Sequence, residues 1–367
     1  MKSIDEGDKR MEAIFNTKIG SLLTRRYQLK EARDYLTKAY NIGKQYGYEK
    51  LAINSKTSIS ETYFGENDLE QATRFVLEVL DESEQHDMLT EHCEALALLT
   101  KIYLEAGLYE SAKPIVNREL ALLNEALPNT KDSVNIEYQI ILAYIFKGAL
   151  YYSQDSFEQA KFYFMEGQKR CGENTEYLRT HINGNLANCY DKLGDVSRAI
   201  QVGRTVIEAA KSANDPYTLS NAIGNMGEFY LSAGNVDSSV WYLERAINMA
   251  NEMDNEGWAS GFYETLNRAY LRMGREAEAG AALKKHMDFN LEIEKKRNKQ
   301  LVDVLHGEYE AKKRRLEKQQ LEEEHRSSLK VATLVILSLI LALLCSLLWF
   351  FFSRRKKIQA EKASKGA

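Results

Sequence analysis

Four asparagines and one arginine carry the recognition chemistry that this sequence offers: Asn185 and Asn188, Asn221 and Asn225, and Arg268. An amide side chain holds both a donor and an acceptor. Asparagines set in a row can therefore pair with the N–H and C=O groups of an extended peptide without reading its side chains. No comparable set supports catalysis. The six histidines (His86, His92, His181, His286, His306, His325) show no metal-ligand spacing, and His86 and His92, six residues apart, fall on different sides of a helix. Ser, His and Asp are plentiful, yet no nucleophile elbow positions one of them. The four cysteines (Cys93, Cys171, Cys189, Cys345) form no C-x-x-C pair and read as buried, inert thiols. Neither an enzyme, a metal site nor a bound cofactor is expected.

The elements that must position those residues recur along most of the chain. A small residue at the start of a helix repeats as Ala32, Ala72, Ala112, Ala160, Ala199, Ser239 and Ala279, at spacings of 40, 40, 48, 39, 40 and 40. Each follows a helix that ends on Leu23, Tyr63, Tyr103, Tyr151, Tyr190, Tyr230 or Tyr270. Self-similarity at a fixed period of this size marks a solenoid. Within a unit, apolar and small residues fall at i, i+3, i+4 and i+7, as in Ile223, Met226, Gly227 and Tyr230, and no alternating stretch is long enough for a strand. The small residue inside the first helix (Gly20, Ser60, Gly148, Ala187, Gly227) lets its partner helix approach closely. Segments such as Lys192-Leu193-Gly194-Asp195 supply the break, and Pro216 lies where a new helix begins. The expected fold is all-α: about seven helical hairpins over residues 1–286.

The stretch Asn185 to Ile200 resembles the tetratricopeptide repeat, and the likeness extends over about 270 residues. The sequence departs from that family in three ways. Its period is nearer forty than ~34 residues, the closing Pro is mostly missing, and Ser60, Thr100 and Asn267 replace Gly or Ala. The resemblance implies that the first helices line a concave groove. Asn185, Asn188, Asn221, Asn225 and Arg268, offset from the packing face, would look into it and bind a peptide or protein. Asn185 and Asn188 are also consensus residues of the repeat, so their occurrence alone does not separate binding from packing.

Charge and hydropathy divide the remainder. Residues 1–284 carry a net charge of −11 and the rest +7, and a mildly acidic array is a poor partner for nucleic acid. Val331 to Phe352 contains no charged residue; at ~1.5 Å per residue it covers ~33 Å, enough for a hydrocarbon core. A transmembrane helix is expected over 330–352, followed by a short basic tail, 353–367. Arg354-Arg355-Lys356-Lys357 points to a cytoplasmic C-terminus and hence to periplasmic repeats in a single-pass inner-membrane protein. Met1 to Gly20 lacks the apolar core of a signal peptide, which favours either a chain missing its true beginning or cytoplasmic repeats on a tail anchor. Between array and span, 287–329 reads as a charged stalk. Leu291, Val302, Leu305, Tyr309 and Leu316 roughly follow a heptad seam, interrupted by Lys295, Asn298 and Lys312. Both a dimeric stalk and a solvated spacer fit this pattern.

The order of array, stalk, span and basic exit is similar to the sensor half of bacterial membrane histidine kinases that carry tetratricopeptide repeats. Glu308-Tyr309-Glu310-Ala311-Lys312-Lys313 resembles their stalk, and Ala360-Glu361-Lys362-Ala363-Ser364-Lys365 resembles the linker before a phosphoacceptor helix. The resemblance implies a homodimeric sensor that relays ligand binding to a two-component output encoded outside these residues. The alternative is a tail-anchored scaffold that assembles protein partners at a membrane.

Overall fold

In a computed structural model the described residues form helices joined by short turns. The structure describes the backbone of residues 2–26, 28–130, 133–252 and 256–364. Side chains are described over 8–323, apart from 25, 27, 129, 131–132 and 253–258, and at scattered positions beyond. The chain divides into two units, Met1–Glu308 and Tyr309–Ala367. Among the described residues there are fourteen α-helices and no strand. They are α1 (Lys2–Arg25), α2 (Leu29–Tyr46), α3 (Glu49–Gly65), α4 (Leu69–Gln85), α5 (Leu89–Glu105), α6 (Tyr109–Ala126), α7 (Ser133–Ser153), α8 (Phe157–Arg170), α9 (Glu176–Lys192), α10 (Val196–Ser212), α11 (Pro216–Ser232), α12 (Val236–Glu252), α13 (Glu256–Arg272) and α14 (Glu276–Ser364). Seven hairpins result, the last made by α13 and the beginning of α14. This is the all-α solenoid expected from the 40-residue period.

Local chemistry explains the hairpins. Turns need a residue in the left-handed region, and glycine enters it without steric cost. Gly194, at φ +86°, fills that place between α9 and α10, where the Asp195 amide donates to the Tyr190 carbonyl at 2.9 Å. Asn67 (φ 62°) and Asp155 (φ 54°) take the same place in hairpins two and four, being the non-glycine residues that tolerate it best. Asp68 and Asp195 then cap the following helices, accepting from the amides of Gln71 and Arg198.

In hairpins one and six the small residue inside the first helix lies against a backbone carbonyl of its partner. A Cβ on Gly227 would lie 3.2 Å from the Ser239 carbonyl oxygen, and one on Gly20 would lie 3.2 Å from that of Ala32. Where the pattern departs from Gly or Ala, Ser60 and Asn267 donate to the equivalent carbonyl, on Ala72 (2.7 Å) and Ala279 (2.8 Å). These two departures thus replace close contact by a hydrogen bond, whereas the third, Thr100, is buried with its hydroxyl unpaired. Each first helix also packs on the first helix of the next hairpin, so α1, α3, α5, α7, α9, α11 and α13 form one continuous inner layer. The long 48-residue interval comes from the connection after α6, which adds a 3-10 turn (Leu127–Asn129) before the lengthened α7.

α14 runs unbroken for 89 residues, so the seventh hairpin, the stalk and 330–352 share one helix. Most side chains of 330–352, including Cys345, lie outside the described residues. Among the described residues no helix is long and apolar enough to cross a membrane. Cys93, Cys171 and Cys189 are buried and unpaired, and burial raises all three thiols, to about 12 at Cys93 and Cys189. They are inert at neutral pH.

Candidate functional site

Because α9, α11 and α13 repeat at 40-residue intervals, their inner-layer side chains fall into rows. One row is Asn185, Asn225 and Thr265; a second is His181, Asn221 and Gly261; a third is Asn188, Glu228 and Arg268. Two adjoining cavities open over these rows, of about 380 and 200 Å3. Asn221 and Asn225 line both. Asn185 lines the smaller and Arg268 the larger, whereas Asn188, one helical turn beyond Asn185, lines neither. Four of the five residues singled out from the sequence are therefore brought together.

The four asparagines are half-buried, and none of their side chains has a hydrogen-bond partner among the described residues. Their donors and acceptors face the groove uncommitted. Arg268 is different. It donates to the Thr265 hydroxyl at 3.0 Å and lies 3.5 Å from the Glu228 carboxylate, which Lys192 also holds, at 2.8 Å. This chain of two cations around one carboxylate forms the wall of the larger cavity. At the edge of the smaller one stands Asp215, whose carboxyl is desolvated. The side chain and amide of Thr218 nevertheless donate to it and hold it below its ordinary value. Asp191, beside this wall, is raised by burial.

Glycines are the part of the site that sequence reading missed. Gly184, Gly224 and Gly261 line the two cavities. At Gly224 the missing side chain admits the Phe262 ring, which a Cβ would strike at 1.9 Å. Nothing lies within 4 Å of where a Cβ would stand on Gly184 or Gly261. At those two positions the bare backbone is exposed to the groove, although both lie in mid-helix, where glycine is unfavourable. The available signal was the recurrence of glycine three residues before the small packing residue, at Gly184 before Ala187 and Gly224 before Gly227. The amide-lined stretch ends at α9. In α7 the corresponding positions are Leu142, Ile145, Phe146 and Ala149, all apolar and half-buried.

Comparison with known proteins agrees with this architecture. A tetratricopeptide-repeat family model matches residues 184–217. No curated relative matches the chain. Among solved structures, the apo form of the quorum sensor NprR from B. thuringiensis is similar at a TM-score of 0.59 and 19% identity, covering 76% of each chain. A Rap protein complexed with Competence and Sporulation Factor gives 0.58 and 15% identity over 78% of this chain and 76% of that one. NprR in complex with its cognate peptide NprX gives 0.51 and 18% identity over 75% of each. At these identities the likeness is one of fold. Of these neighbours, NprR is seen in complex with a cognate peptide.

Proposed function

We propose that this chain is a peptide-recognition sensor, with its ligand held in extended form across α9, α11 and α13. The observation that carries the reading is the set of uncommitted amides of Asn185, Asn221 and Asn225 over two adjoining cavities with glycine-bared walls. Amides that bond both groups of a peptide unit give affinity from the main chain, and the surrounding pockets select side chains. Complexes of structural neighbours with peptides, NprR with NprX and a Rap conjugation regulator with Phr*, support the assignment. Residues 330–352, with no charged residue from Val331 to Phe352, would anchor the sensor in a membrane, and α14 would relay the signal to a two-component output. Leu291, Val302 and Leu305, exposed on α14, offer the seam for a dimer.

Selection of random heptapeptides on the full chain in detergent micelles tests the site. Binders are expected, and Asn221→Ala with Asn225→Ala should weaken them about 10- to 100-fold, at ~1 kcal/mol per lost hydrogen bond. N-methylation of the peptide backbone should do the same. Binders indifferent to both changes refute the groove. For the anchor, a reporter active only in the cytoplasm, fused before Met1, should be silent if the repeats are periplasmic. An active reporter assigns the protein to the scaffold class instead.

A further inference from the structure

The stretch of α14 after the seventh hairpin does not stand free. Within the first unit, one face of it lies on the turns of hairpins two and three. The side chains on that face, Gln300, Val304, Gly307 and Glu308, follow helical spacing. Val304 is fully buried, in the same apolar cluster as Leu69, Ala72, Tyr103 and Ala106. Gln300, 3% exposed, donates to the Asn67 side-chain oxygen at 2.5 Å and to the Glu105 carboxylate at 3.4 Å. His306 Nδ1 lies 3.0 Å from the Glu70 carboxylate. The Tyr103 hydroxyl donates to the Glu308 carboxylate, and burial together with that carboxylate raises the Tyr103 phenol above its ordinary value.

Gly307 shows that the fit is specific. It is the one glycine in 287–329, a charged helical stretch where alanine would favour the helix by ~0.5–1 kcal/mol. A Cβ there would lie 2.5 Å from the Glu70 carbonyl oxygen and 2.9 Å from Thr73 Cβ. Backbone cannot yield to such a clash, so the helix seats only with glycine at this place. Equivalent turns elsewhere are uncovered. Gly194, Gly234 and Gly274 have nothing within 4 Å of a Cβ position, whereas Gly107 has the Arg297 side chain at 3.7 Å.

We propose that the turn edge of hairpins two and three is a helix-docking surface, and that Arg297–Glu308 is the latch that occupies it. The latch is an intramolecular contact that holds α14 to the array. From Glu276 to Gln300 the helix advances ~36 Å, so it acts as a strut between hairpin seven and hairpins two and three. Release would free the surface around Leu69, Tyr103 and Ala106 and detach the helix that carries the chain toward residue 364. The proposal does not depend on what the groove of hairpins five to seven binds.

Hydrogen exchange on the full chain in detergent micelles tests it without a ligand. In the wild type, amides of 298–308 should exchange at least tenfold more slowly than those of 313–323 in the same helix. Gly307→Leu should abolish that difference and raise exchange at 67–73 and 103–108, while 181–192 and 221–232 keep wild-type rates. If Gly307→Leu unfolds the array at large, Gln300→Ala with Val304→Ala, which add no bulk, should give the same pattern at smaller amplitude. Equal exchange of 298–308 and 313–323 in the wild type overturns the latch. So does a set of variants that leaves 67–73 and 103–108 unchanged.

Discussion

Glu119 sits where the repeat register calls for an apolar side chain. Seven residues after Ala112, it is equivalent to Val79, after Ala72, and to Val206, after Ala199, both of which are buried. Its carboxyl is fully buried with neither oxygen hydrogen-bonded, and that desolvation raises it from 4.5 to about 8. Glu94 is raised to about 7 by burial, reinforced by Glu91 and Glu61. Both groups hold a proton in the folded state that the unfolded chain releases near pH 4.5. The stabilisation is therefore whole below that value and is lost progressively as pH rises from there to about 7 for Glu94 and about 8 for Glu119. At ~1.4 kcal/mol for each tenfold change in proton affinity, Glu119 alone accounts for a loss on the order of 3–5 kcal/mol across this window. Glu119→Val should raise the melting temperature most at pH 8 and least at pH 5, and should flatten the profile between them. Denaturation curves with the same pH slope in the variant and the wild type would disprove the buried-proton account.

At the scale of the helix, the glycines of the groove make a prediction that separates recognition from packing. Gly184 and Gly261 occupy mid-helix positions with open space above them, so leucine there should stabilise α9 and α13 by ~0.5–1 kcal/mol each. The same leucines would fill the cavities and should abolish peptide capture. Gain of stability with loss of binding is the expected pair of results; full binding by both variants refutes the groove as a ligand site. The elements themselves were legible because their determinants are local. Period, terminal Tyr, turn glycine and packing residue lie within one hairpin, and the offset of Asn185, Asn221, Asn225 and Arg268 from the packing face follows from helix geometry alone. The role of Ser60 and Asn267 was not legible, since their partner is a carbonyl that any residue possesses. Neither was the docking of α14. Tyr103 and Glu308 meet across 205 residues, and a charged helical sequence looks the same whether it is solvated or seated by Val304 and Gly307.

At the scale of the whole chain, groove and latch belong to one mechanical loop. α14 is fixed to hairpin seven through Asn267 on the Ala279 carbonyl and through Tyr263 stacked on Phe289, then again to hairpins two and three. A solenoid changes shape by small rotations summed over its repeats. A ligand that alters the rotation among hairpins five to seven must bend α14 or shift the latch equilibrium. The coupling is then reciprocal: whatever factor the ligand applies to latch opening, latch opening applies to ligand affinity, commonly ~5- to 150-fold. A peptide selected on the full chain should therefore change exchange at 298–308, and Gly307→Leu should change the Kd of that peptide. The two signs are tied. A peptide that speeds exchange at 298–308 must bind Gly307→Leu more tightly than the wild type, and one that slows it must bind more weakly. An unchanged Kd in a variant proven open by exchange means that groove and latch act independently. A chain that captures no peptide at all removes the groove and leaves the latch standing, because exchange reads it without any ligand.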